Sequence, residues 1–119
     1  MGRYEFNRES RLVTPGHFKQ VFDNPSRFGS KHFTVLITTN TSDKPRLGMA
    51  IAKKRVKLAV GRNRIKRIVR ESFRQNQHNL PAVDLVVMVK SGIDQLDNAL
   101  INQQLENIWR KIKQRHKSS

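Results

Sequence analysis

Hydrophobic and polar positions follow three rhythms along this chain, and together they mark out its elements. Phe18, Val21 and Phe22 recur at i, i+3 and i+4 behind Thr14-Pro15, with Thr placed as N-cap and Pro at the first helical position, where its missing N–H costs nothing. The spacing predicts a helix to about Asn24, stopped by Asn24-Pro25. Periodicity alone reads its aromatic face as core. Ahead of it, residues 1–13 read as an irregular basic lead-in anchored by Phe6, Leu12 and Val13.

From Arg27 to Thr39 the period drops to two. A short strand, a break at Gly29-Ser30 and a longer strand are expected, with Phe33, Val35 and Ile37 on one face and Thr34, Leu36 and Thr38 on the other. After a polar turn over 40–45, Arg46 to Ala52 alternates again: Leu47, Met49 and Ile51 on one face, Gly48, Ala50 and Ala52 on the other. The second face carries almost no side-chain bulk, so a helix or a ligand can approach the sheet there. Next comes an amphipathic helix built on Gly61 to Arg70, with Ile65, Ile68, Val69 and Phe73 on one arc. The third rhythm is continuous: Asp84 to Lys90 is nearly all apolar, as a strand covered on both faces must be. Leu96, Leu100, Ile101, Leu105, Ile108, Trp109 and Ile112 then keep helical spacing in a closing helix from near Asp94, before a basic tail, 113–119, expected to fray. The order αβββαβα over 1–119 predicts a single α/β domain, an α+β sandwich on a small, mostly four-stranded sheet.

Charge changes this picture. The formal net charge is +15 and the pI about 11.4, values that point to nucleic acid or an anionic membrane as partner. Lys53 to Arg74 alone holds 10 of the 24 Lys and Arg residues and one acid, Glu71. On the helical wheel Arg62, Asn63, Lys66, Arg67, Arg70 and Arg74 lie opposite the apolar arc, with Arg64 at its border. Arg62, Lys66, Arg70 and Arg74 form an i,i+4 ladder of like charges that repel in the free protein. A polyanion that neutralises them is the natural partner, and charge alone leaves DNA and RNA equally open. The chain has no Cys, so disulfides and thiolate zinc sites are excluded. No apolar run is long enough for a signal or a span, and a soluble, cytoplasmic protein without membrane partner is expected.

Enzymatic constellations are thin. Asp94 and Asp97 sit where a helix begins and read as capping groups. His17, His32, His78 and His116 show no ligand spacing. Gly61 lacks the second glycine and the Lys-Ser/Thr ending of a phosphate loop. No catalytic residue, metal site or small-molecule substrate is expected of the protein itself.

Ala52-Lys53-Lys54, Arg62-Asn63-Arg64-Ile65-Lys66-Arg67 and Arg70-Glu71-Ser72-Phe73 resemble the signature of the bacterial ribonuclease P protein subunit. Arg11-Leu12 with Phe18 and Val21-Phe22, Arg46-Leu47-Gly48 and Asp84-Leu85-Val86-Val87 resemble its first helix, central strand and following strand. The resemblance implies that a large RNA subunit holds the magnesium ions and cuts the 5′ leader from precursor tRNA, while the protein binds that RNA and the leader. It implies that Arg62, Asn63, Arg64, Lys66, Arg67, Arg70 and Arg74 face the catalytic RNA and the adjoining leader. The leader cleft would be formed by Phe18, Phe22, Leu36, Gly48 and Ala50, with Lys53 and Lys54 at its edge. Phe18 and Phe22 would then be partly exposed. Leu36 stands where some members carry a tyrosine, so it offers apolar packing without stacking. The family also implies a left-handed crossover through the signature helix, against the usual hand. A ribosomal-protein-like RNA-binding module is the alternative reading. A DNA-binding regulator is a third, weakened by the strand pattern found where a helix-turn-helix would need its partner helix.

Overall fold

A computed structural model describes residues 26–39 and 44–117. The expected N-terminal helix over 14–24, with Phe18 and Phe22, and the lead-in before it lie outside the described residues. Within them the chain forms β1 (Ser26–Gly29), β2 (Phe33–Thr39), β3 (Arg46–Ala50), α1 (Ala59–Asn76), β4 (Val83–Val89) and α2 (Asn98–Lys117). Single 3₁₀ turns at Gln77–Asn79 and Ile93–Gln95 bracket β4.

The sheet order is β1-β2-β4-β3. β2 pairs antiparallel with β1 and β4, while β3 lies parallel to β4. β4 therefore occupies an interior position, and Val83, Asp84, Leu85, Val86, Val87 and Val89 are all buried, which is why its sequence runs apolar without alternation. Phe33, Val35, Ile37, Leu47, Leu85 and Val87 cover one face and pack against Ile65, Ile68, Val69 and Phe73 of α1 and Ile101, Leu105, Ile108, Trp109 and Ile112 of α2. On the other face Leu36 and Val86 form a small second cluster with Met88. Two helices on one side of the sheet make the α+β sandwich that the hydrophobic pattern predicts.

Three boundaries differ from the periodic reading, each for a local reason. β3 stops at Ala50, two residues early, because Ala52 O turns back to accept the N–H groups of Arg55 and Val56 at 3.0 and 3.1 Å. The last helix begins at Asn98 instead of Asp94. Gly92 turns the chain at φ 94°, Ile93 is buried, and the residues between form the 3₁₀ turn. Asp97 is the capping residue: its Oδ1 accepts the Leu100 N–H at 2.9 Å. The basic tail stays helical to Lys117.

Arg46 and Asp84 are register partners on β3 and β4. Their side chains close a bidentate ion pair, Nε to Oδ1 at 2.7 Å and Nη2 to Oδ2 at 2.8 Å, with Asp84 fully buried. A one-residue slip of β3 would leave both charges without this partner, so the pair fixes which residues of the two strands lie level.

Candidate nucleic-acid interface

The seven polar residues singled out on the signature helix do not behave alike. Asn63, Arg67 and Arg70 are exposed and Lys66 half-buried, and none forms a hydrogen bond or ion pair with the described residues. They lie at i, i+3, i+4 and i+7, a single stripe down the outer side of α1. The two arginines flanking this stripe are tied down. Arg62 Nη1 donates to the carbonyls of Val56 and Lys57 at 2.9 and 2.8 Å, closing the loop that enters the helix. Arg64 reaches the other way. Its Nη1 donates to Asn98 Oδ1 at 2.7 Å, and its Nη2 to the carbonyls of Asp94 and Leu96, both at 3.3 Å. Arg74, at the helix end, donates through Nε to Glu71 Oε2 at 3.2 Å and through Nη2 to Oε1. That hydrogen bond holds the Glu71 carboxyl below its ordinary value and raises the Arg74 guanidinium.

Nothing in α1 offsets this positive stripe at its start. No acid lies in the first turn and Leu58, at the N-cap, makes no side-chain cap. The helix N-terminus adds its own partial positive charge. Lys53, Lys54 and Lys57 in the preceding loop are exposed as well.

The small-residue face of β3 is split into two rows by the sheet register. Gly48, Val86 and Leu36 lie level across β3, β4 and β2, and all three are buried. One row on, Ala50, Met88 and Thr34 lie level, with Ala50 exposed and the others half-buried. A pocket of about 810 Å³ opens over this second row. Thr34, Ala50, Ala52 and Met88 line it, and Arg55 and Lys90 bring two cations to its wall. Of the residues expected in the cleft, Ala50 lines the pocket, Lys53 and Lys54 follow directly on its Ala52, and Gly48 and Leu36 belong to the buried row. Thr34 and Met88 do not stand out in the sequence. Thr34 shares parity with Leu36, but Met88 joins this face only because β4 is inserted between β2 and β3.

This geometry offers a row of free cations for phosphates and an apolar, cation-edged recess for an unpaired base. Among the described residues no group of three or more His, Asp or Glu side chains is placed to hold a metal ion. No described helix is long and apolar enough to cross a membrane.

Comparison with known proteins identifies the family. The family model described as ribonuclease P matches residues 6–113. The ribonuclease P protein component of Pseudoalteromonas translucida is 50% identical over 117 residues, covering 98% of this chain and 84% of that protein. Among solved structures, a Staphylococcus aureus RNase P protein, a mutant with defective mRNA degradation activity, superposes with a TM-score of 0.83 at 26% identity, over 89% of this chain and 90% of that one. The Thermotoga maritima RNase P protein in complex with 1-(4-fluorophenyl)-2-thiourea gives 0.78 at 30% identity, over 86% of this chain and 99% of that one.

Proposed function

The chain belongs to the ribonuclease P protein family, and from that premise we propose that it binds the catalytic RNA of ribonuclease P and the 5′ leader of precursor tRNA. It takes part in an endoribonuclease as the protein of a ribonucleoprotein. The observation that carries the reading is the stripe Asn63, Lys66, Arg67 and Arg70, whose side chains are uncommitted within the described protein and backed by a buried apolar arc. A helix whose cations are held in one line, without intramolecular partners, is organised for a phosphate backbone. The pocket beside Ala50 and Met88 is the natural seat for an unpaired leader base, because its floor is small and apolar and its wall cationic.

Four of the five described carboxylates have structural partners, which supports assigning catalysis to the RNA: Asp84 is bonded to Arg46, Glu71 to Arg74, Glu106 accepts from Asn76 Nδ2, and Asp97 caps α2. Magnesium, which would supply the activated water and stabilise the leaving oxygen, is in this reading held by the RNA. The protein raises the local concentration of leader at the RNA's active site and screens backbone repulsion.

Reconstitution tests the reading. The protein is expected to cleave nothing alone, while ribonuclease P RNA cuts precursor tRNA at the mature 5′ end, and at lower magnesium once the protein is added. Co-purification of ribosomal subunits or genomic DNA in place of one large stoichiometric RNA would overturn it, as would magnesium-dependent cleavage by RNA-free protein.

A further inference from the structure

The open row of the sheet does not end at the pocket. Thr34 lies level with Gly29 of the edge strand β1, so the row runs Ala50, Met88, Thr34, Gly29 across all four strands, about 14 Å at the usual strand spacing. Gly29 is exposed, and its glycine identity is not demanded by the fold. Its φ is not positive. A Cβ added there would meet no other side chain and nothing closer than the Phe33 carbonyl oxygen at 3.5 Å, an ordinary contact. A strand glycine without a conformational or packing reason leaves the surface low for something that passes close to the backbone.

Cations from three parts of the chain gather round this end of the row. Lys111 Nζ donates to the Gly29 carbonyl at 3.2 Å, and Lys90 Nζ to the Ser30 carbonyl at 2.8 Å. Lys90 also lines the pocket, so the recess and the hairpin are continuous. Arg27 lies level with Leu36, hence on the open face of the edge strand, and it is exposed along with Lys31. No described carboxylate pairs with any of these cations; the described ion pairs are those of Asp84 and Glu71.

We propose that the β1–β2 hairpin is an outer subsite for single-stranded RNA. Leader that fills the pocket continues over Thr34 and Gly29, and Arg27, Lys90 and Lys111 take its phosphates. The inference rests on the reading of the pocket as the leader's seat. It predicts that the protein senses leader length beyond the pocket.

The test uses holoenzyme reconstituted with ribonuclease P RNA, mature tRNA, and precursors with a leader that only reaches the pocket or one several nucleotides longer. Lys111→Ala and Gly29→Val are expected to weaken binding of the long-leader precursor about 3- to 10-fold, with short-leader precursor, mature tRNA and assembly unchanged. Lys111→Ala should also take about 0.7 off the log–log salt slope for the long leader alone. Thermal melts confirm folding, and Arg27→Ala replaces Gly29→Val if that variant is unfolded. Equal losses on all substrates, a loss in assembly with the catalytic RNA, or no loss at all would each overturn the subsite. If wild-type holoenzyme shows no preference for leader-bearing over mature tRNA, it is the pocket reading that fails; if that preference is present and the hairpin variants ignore leader length, only the outer subsite fails.

Discussion

The indole N–H of Trp109 donates to Ser72 Oγ at 2.8 Å in the buried seam between α2 and α1. Phe73, the next residue, meets the same indole edge-on with ring centroids 6.3 Å apart. Ser72 lies about 180° round the helical wheel from Asn63 and within about 20° of opposite Arg70, so the bond that seats α1 on α2 also aims the cationic stripe away from the core.

Ser72→Ala leaves that indole donor buried without an acceptor and is expected to cost about 1 to 3 kcal/mol of stability. RNA affinity of the fraction that remains folded should be unchanged. Denaturant melts beside RNA titrations below the transition check both halves.

Free and tied cations on α1 should separate cleanly. Lys66→Ala, Arg67→Ala and Arg70→Ala together are expected to leave the melting temperature near wild type and to lower the salt slope of RNA binding by roughly 0.7 to 0.9 for each phosphate no longer neutralised. Arg64→Ala should do the reverse: a stability loss of about 1 to 3 kcal/mol, from removing the bonds to Asn98 and the Asp94 and Leu96 carbonyls, with a smaller change in slope.

Glu71 makes the C-terminal end of α1 sensitive to acid. Its carboxyl is held below the ordinary value by the hydrogen bond from Arg74, so the pair's contribution to α1 is present above the unfolded carboxyl value and is lost as pH falls through the lower folded one. Protonation there removes the negative charge beside Arg74 and raises the positive potential at this end of α1. Wild-type affinity is expected to rise as pH falls through that range, and Glu71→Gln, already uncharged, should bind more tightly at neutral pH and show no such step. RNA titrations on both proteins across the acidic range decide it.

Asp84→Ala removes the carboxylate paired with Arg46, whose side chain is only 18% exposed, and is expected to cost about 3 to 5 kcal/mol. Arg46→Met with Asp84→Leu should recover part of that loss, because two apolar groups need no ionic partner. A double-mutant cycle on thermal or denaturant midpoints measures the difference.

Local rules were enough to place the described elements. Ile65, Ile68, Val69 and Phe73 recur at helical spacing and are buried together. Phe33, Val35 and Ile37 alternate and pack into the main core, because a strand or helix buries whichever face its period makes apolar. The density of Lys and Arg around α1 was equally plain, since formal charge needs no fold to be counted.

The roles of individual residues were decided by interactions between distant parts of the chain. Nothing near Arg64 in sequence says that it will meet Asn98, 34 residues on, so the seven polar residues that the sequence groups together divide into a free stripe and three tied arginines. Gly48 and Ala50 share one face of β3 and differ only by a register row, yet one is buried and the other opens on a pocket. That distinction, and the alignment of Gly29 with Thr34, Met88 and Ala50, exists only after β4 pairs between β2 and β3. Periodicity places a side chain on a face; strand order and register, set by which strands bury each other's hydrophobic faces, choose its neighbours there.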